Sequence, residues 1–238
     1  SASYNHGIFT VVQGAASMKA VILAAGKGVR MLPLTLDRPK PLIEINGKPF
    51  LMHLLERLHA AGVEDKDIAI VVGYKGEKIE EFLDEHNLAI TVIAQQALLG
   101  TGDAVYHARE FVDEEDFIVV GGDNLFSADD LSRIQQEDEF CYVAGWKVED
   151  PSRYGVLLCK GDALVEIVEK PTEFVGDLIN AGLYKFTPDI FEALEQIEIS
   201  ERGELELTDA ISLLAESRKV KVMMLQDYWL DLGKKDDI

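Results

Sequence analysis

The sequence predicts an α/β protein built on a doubly wound, mostly parallel sheet with an antiparallel extension. Short apolar runs bounded by glycine alternate with amphipathic helical patterns through the first two thirds of the chain, the rhythm of a parallel sheet with crossover helices. Those runs are continuously apolar, as strands covered on both faces require. After about residue 140, strand-like runs follow one another with turn residues between them and little helix, which predicts a meander attached to the sheet.

Residues 19–24 (KAVILA) form the first predicted strand. Leu51, Leu54, Leu55 and Leu58 fall at helical spacing within 50–61, and Gly62 is a plausible stop. Residues 67–72 read as a second buried strand ending at Gly73, Ile79, Phe82 and Leu83 mark a helix, and 88–93 a third strand. Residues 117–120 (FIVV) are a further buried strand, running into Gly121-Gly122-Asp123. The extension comprises strands at 141–146, 155–159, 165–169 and 181–186. Helices follow at 189–197 and 207–216, the latter with Thr208 and Asp209 as caps, and 220–225 is one more strand. Residues 1–17 stand apart and read as a leader or cloning remnant, because Met18-Lys19 looks like a natural start. The expected unit is a single domain over 18–238: a Rossmann-like part to about 140, then a second part over about 141–238.

Charge narrows the function classes. The 238 residues carry 23 Lys+Arg against 43 Asp+Glu, a formal net charge of −20. That disfavours a nucleic-acid binder, whose affinity rests on clustered cations, and adhesion to an anionic membrane surface. The hydrophobic fraction of 47% supplies ample core, while no apolar run reaches the ~18 residues of a membrane span. Cys141 and Cys159 have no CxxC or histidine company, so they are expected as a reduced, buried pair in a cytoplasmic protein. The five histidines show no metal spacing; His53 and His59 share one predicted helix and read as structural or surface groups.

The loop Ala24-Ala25-Gly26-Lys27-Gly28-Val29-Arg30 follows the first strand directly. Glycines let a backbone approach a ligand closely and turn peptide N–H groups towards phosphate oxygens. A glycine pair alone is equally a tight strand-to-helix turn, and two familiar phosphate motifs fail here. Met31 breaks the dinucleotide fingerprint, and Gly26-Lys27-Gly28 is not the Gly-Lys-Ser/Thr of a P-loop. The cationic complement sharpens the reading: residues 19–48 hold six Lys/Arg and two acids in an otherwise acidic chain. Asp123 stands out among the acids, since Gly121-Gly122 precedes it at the carboxyl end of a predicted strand, where open α/β sheets bind ligands.

The stretch KAVILAAGKGVRMLPLTLDRPKPLIEINGKPFL resembles the opening of the sugar-phosphate nucleotidyltransferases. Arg30, Pro33, Thr35, Pro39 and Lys40 match the family pattern, and Val29 departs from its usual Thr or Ser. Further stretches are similar in the same order: Gln95 to Ala104, FIVVGGDN at 117–124, Tyr154-Gly155-Val156, Glu169-Lys170-Pro171, Asn180 to Tyr184, and Trp229-Leu230-Asp231-Leu232-Gly233. Together they cover nearly all of 18–238.

The resemblance implies an enzyme that joins a nucleoside triphosphate, UTP or dTTP, to glucose 1-phosphate or N-acetylglucosamine 1-phosphate and releases pyrophosphate. It implies catalytic cations Arg30, Lys40 and Lys170. It assigns nucleotide binding to Ala24, Ala25, Gly26, Gly28, Gln95, Gly100 and Thr101, with Gln95 and Gly100 at the base. Gly155, Glu169 and Asn180 receive the sugar, and Asp123 and Asp231 hold Mg²⁺, a hard cation suited to carboxylates, phosphates and water. The alternatives are a guanylyl- or cytidylyltransferase, or a regulatory paralogue that binds without turnover. A homo-oligomer is left open. The chain stops seven residues after Asp231, where the family continues into another helix, so a trimmed catalytic domain is expected.

Overall fold

The computed structural model describes residues 18–233; the expected leader over 1–17 lies outside the described residues. In chain order the elements are β1 (Lys19–Ala24), β2 (Glu44–Ile45), β3 (Lys48–Pro49), α1 (Phe50–Ala60), β4 (Ile68–Val72), α2 (Gly76–Glu85) and β5 (Thr91–Ala94). Then come α3 (Thr101–Tyr106), α4 (Arg109–Val112), β6 (Phe117–Gly121), β7 (Asn124–Phe126), α5 (Ala128–Arg133), β8 (Cys141–Lys147), β9 (Gly155–Lys160) and β10 (Ala163–Glu169). The chain continues through β11 (Leu178–Phe186), α6 (Asp189–Leu194), α7 (Leu207–Glu216), β12 (Val220–Met224) and β13 (Trp229–Asp231).

Among the described residues, nine strands form one mixed sheet in the order β5-β4-β1-β6-β11-β8-β12-β10-β9. The first four are parallel neighbours, as their strand–helix alternation predicts. Their side chains alternate between two cores, which explains why each reads as continuously apolar. Val21, Val71 and Val119 pack with α3, α6 and α7; Ile22, Ile70, Ile118 and Val120 pack with α1, α2 and α5. Leu51, Leu54, Leu55 and Leu58 put one face of α1 wholly into the second core.

Beyond β6 the sheet is mixed, so the expectation of a mostly parallel sheet with an antiparallel extension holds only in part. Strand β11 runs antiparallel between β6 and β8, but β12 returns parallel to β8. Strand β9 pairs with β10 and also reaches β11 through Ile179 and Val156. Two local expectations also change. The N-cap of α7 is Glu206, with Thr208 and Asp209 inside the first turn; the Leu207 N–H instead donates to Thr101 Oγ1 at 3.1 Å. Cys141 is buried but Cys159 is exposed, and both are free, because the far end of β9 reaches solvent.

After β12 the chain crosses to β7, where β13 pairs antiparallel with Asp231 opposite Asn124. The fully buried Asp130 of α5 anchors this crossing. Its carboxylate accepts the Gln226 N–H at 3.1 Å, the Asp227 N–H at 3.2 Å and the Arg133 guanidinium at 2.7 Å. No described helix is long and apolar enough to cross a membrane.

Candidate active site

A cleft of about 700 Å³ opens at the carboxyl ends of β1 and β6. The two strand ends are tied together where the Gly122 N–H donates to Leu23 O at 2.9 Å. The loop leaving β1 forms one wall, with Ala24, Ala25, Gly26, Gly28 and Arg30 all facing the cleft. Gly28 has φ +60°, the left-handed region that glycine enters without strain. Its carbonyl accepts from Oγ1 of fully buried Thr35 at 3.0 Å, so the threonine clamps the loop.

Lys40 begins a single 3-10 turn after Pro39, whose extended backbone directs the chain inward. Only 8% exposed, its Nζ lies 2.7 Å from Asp123 Oδ2. The other oxygen of Asp123 accepts from Asn124 Nδ2 at 2.9 Å. Asn124 in turn accepts from Trp229 Nε1 at 2.9 Å, and the Leu232 N–H donates to Asp123 O at 2.8 Å. Asp123 is therefore fixed from both ends of the β7–β13 pair. Burial, and then the charge of Asp123, push the Asp231 carboxyl above its ordinary value, against the pull of Lys40, Tyr154 and Arg30. Two carboxylates and two cations thus share one field.

That arrangement fits Mg²⁺. Among the described residues no three His, Cys, Asp or Glu converge as a metal cage; a pair of carboxylates completed by phosphate and water is the usual Mg²⁺ set. Repulsion between Asp123 and Asp231 is what a divalent cation would relieve.

The opposite wall carries Gln95, Gly100 and Thr101. Gln95 is 5% exposed, and its Nε2 donates to Gly100 O at 3.1 Å and to Asp103 Oδ2 at 2.6 Å. Gly100 has φ +109°, and a Cβ there would lie 2.6 Å from Leu205 O. Only glycine permits the segment before α7 to close this wall, where the Leu205 N–H donates to Leu99 O at 2.6 Å.

The expected sugar residues form a second cluster that does not line the cleft. Gly155 sits opposite Glu169 in the β9–β10 ladder. Lys170, at φ +43°, donates its N–H to Tyr154 O at 3.0 Å. Its Nζ and the Arg202 guanidinium each lie 3.8 Å from Glu169 Oε1. Asn180 donates to the Tyr184 hydroxyl at 2.8 Å. Two tyrosines link this cluster to the cleft. Burial pushes the Tyr184 phenol up to about 12 and its ring lines the cleft, while Tyr154 OH donates to Asp231 Oδ2 at 3.4 Å. Sequence reasoning assigned no individual role to Asp103, Asn124, Tyr154 or Tyr184, although each lies in one of the stretches that carry the resemblance. Arg202 lies in none of them and was missed.

The family described as nucleotidyl transferase matches residues 19–238. The bifunctional protein GlmU of Methanocaldococcus jannaschii is 44% identical over 93% of this chain and 52% of its own length, so the chain spans about half the length of such relatives. The UTP–glucose-1-phosphate uridylyltransferase AglF of Haloferax volcanii is 38% identical over 92% of this chain and 93% of that protein. Among solved structures, a UDP-glucose pyrophosphorylase complexed with UDP-glucose superposes with a TM-score of 0.82 at 25% identity, over 93% of this chain and 95% of that one. An apo UDP-glucose pyrophosphorylase gives 0.81 at 24%, over 92% of this chain and 95% of that one. A mixed α/β sheet, a cationic glycine loop facing a strand-end aspartate and a match across almost every described residue agree: the chain belongs to the nucleotidyl transferase family.

Proposed function

We propose that this chain transfers a nucleotidyl group from UTP or dTTP to glucose 1-phosphate or N-acetylglucosamine 1-phosphate, giving a nucleotide sugar and pyrophosphate. The observation that carries the reading is the meeting of Arg30, Lys40 and Asp123 in one cleft whose far wall is Gln95 and Gly100. The relatives that act on sugar phosphates support the choice of acceptor. The Rossmann-like part over 18–140 receives the triphosphate and the part over 141–238 receives the sugar. The free thiols and the demand for nucleoside triphosphates support a cytoplasmic site of work.

A phosphate oxygen of the sugar phosphate attacks the α-phosphorus; that P–O bond forms as the bond to the β-phosphate oxygen breaks and pyrophosphate leaves. The nucleophile is already ionised near neutral pH, so no general base is needed. The work is alignment of two polyanions and stabilisation of charge. The peptide groups of Ala24, Ala25, Gly26 and Gly28 follow the triphosphate. Arg30 holds the β- and γ-phosphates that depart. Lys40 turns from Asp123 to the α-phosphate, where charge builds. Lys170 holds the sugar phosphate, Gly155, Glu169 and Asn180 orient the sugar hydroxyls, and Gln95, Gly100 and Thr101 take the base. Asp123 and Asp231 would hold Mg²⁺, which supplies Lewis-acid neutralisation of phosphate charge when bound.

Pyrophosphate release measured across four triphosphates and three sugar 1-phosphates, with and without Mg²⁺, tests the reading. Turnover with a uridine or thymidine triphosphate and one of these sugars is expected. No turnover with any pair would sink it.

A further inference from the structure

The partners of Gln95 dictate which way its amide faces. Nε2 lies 3.1 Å from Gly100 O and 2.6 Å from Asp103 Oδ2. A peptide carbonyl and a carboxylate can only accept, so both amide protons must point at them; a flipped amide would set Oε1 against two acceptors. The Gly100 carbonyl also accepts from the Ala104 N–H at 3.2 Å. Asp103 is thus the side chain that fixes the amide. It stands in the first turn of α3, largely enclosed, with the His107 ring 3.7 Å from its second oxygen. With both protons engaged, Gln95 has only the acceptor Oε1 left to offer the cleft.

We propose that Asp103 is a positioning residue that sets base choice by fixing the hydrogen-bonding sense of Gln95. An acceptor in the wall pairs with an N–H at the centre of the base's pairing edge. Uracil and thymine present N3–H there. Held in the same pose, cytosine sets its N3 lone pair and adenine its N1 lone pair against Oε1, and either must shift in the cleft to offer its amino group instead. Guanine, with N1–H, has the correct sense, so this device selects by polarity and not by size. The inference rests on the reading of Gln95 as the base-facing residue.

The test is Asp103→Asn, which keeps shape but replaces a group that can only accept by an amide that can donate to Gln95 Oε1, so that the flipped amide opposes one acceptor, Gly100 O, in place of two. Asp103→Ser serves as a second variant that shortens the side chain. For each, kcat/KM is measured with UTP, dTTP and CTP against one sugar 1-phosphate, with melting temperature alongside. Binding of UTP and CTP by calorimetry reads the same preference without turnover. The parent enzyme should favour UTP or dTTP over CTP by about 100-fold or more. In Asp103→Asn that ratio should fall at least about tenfold, through a higher KM for UTP and a lower one for CTP. The UTP to dTTP ratio should not move. If UTP and CTP lose efficiency together and the ratio holds, Asp103 is merely structural and the inference falls. A parent that prefers UTP with an unchanged variant ratio overturns this inference alone. A parent inactive with every triphosphate overturns the proposed function itself.

Discussion

Lys40 and Asp123 are separated by 83 residues, yet Nζ and Oδ2 meet at 2.7 Å with the lysine almost wholly enclosed. The ammonium therefore neutralises a carboxylate that already faces repulsion from Asp231. A cation so placed ties the loop after Pro39 to the end of β6 and lines the cleft.

Lys40→Met should lower kcat by about 10²–10³-fold, the scale for removing a preorganised group aimed at developing charge. It also removes the nearer of the two cations that face Asp123 and Asp231, so unfolding free energy in chelator should drop by about 1–3 kcal/mol. Adding Mg²⁺ should restore most of that loss. Pyrophosphate release and urea denaturation with and without Mg²⁺ measure the two effects; a variant unaffected in both would remove Lys40 from its assigned role.

Asp231 gives a pH dependence of defined sign. Burial and the charge of Asp123 hold its carboxyl above the ordinary value, so the folded chain binds that proton more tightly than the unfolded one. Its contribution to stability is then fully present below the unfolded value, about 3.9, and is lost as pH rises through the raised folded value. Asp231→Asn should accordingly be more stable than the parent at pH 7 in chelator, and the difference should vanish below about pH 4. Denaturation midpoints at the two pH values decide it. A variant less stable than the parent at pH 7 would refute the sign.

Asp130 makes no contact with the cleft but holds the chain that leads to Asp231. Replacing it by Ala strips two peptide N–H groups and Arg133 of their acceptor, at a cost of about 3 kcal/mol. Because β13 starts two residues beyond the anchored Asp227, the Mg²⁺ concentration required for half-maximal turnover should also rise. Chemical denaturation and a Mg²⁺ titration of activity check the pair of effects. Loss of stability with an unchanged Mg²⁺ requirement would separate Asp130 from the site.

What was legible in the sequence follows the range of the interaction. Strands β1, β4 and β6 could be read because each is a short apolar run, covered on both faces, whose composition announces a strand whichever strand it pairs with. The 207–216 helix could be read from its apolar spacing alone. The parallel return of β12 beside β8 could not, since nothing local in VKVMM distinguishes that partner from another. The same holds for the α7 start: Thr208 and Asp209 are the usual capping residues, but the Leu207 N–H is satisfied by Thr101, 106 residues earlier. Within the candidate site, the glycine loop and Asp123 announce themselves through composition and position. Asp103, Tyr154 and Tyr184 do not, although each lies in a recognised stretch: Tyr154 meets Asp231 across 77 residues, and the nearer partners of Asp103 and Tyr184 depend on side-chain orientation that spacing does not give.

The β7–β13 ladder brings Trp229 to Asn124 across 105 residues, and Asp231 arrives with it. Closing so long a loop is entropically expensive and belongs to the slow, non-local part of folding. During synthesis, the glycine loop, Lys40 and Asp123 emerge well before the strand that supplies the second carboxylate. A partly folded chain can therefore possess a sheet and half a site, but not the pair of aspartates. The ladder makes completion of the candidate centre a late checkpoint: the two aspartates come together only when distant segments have found their register.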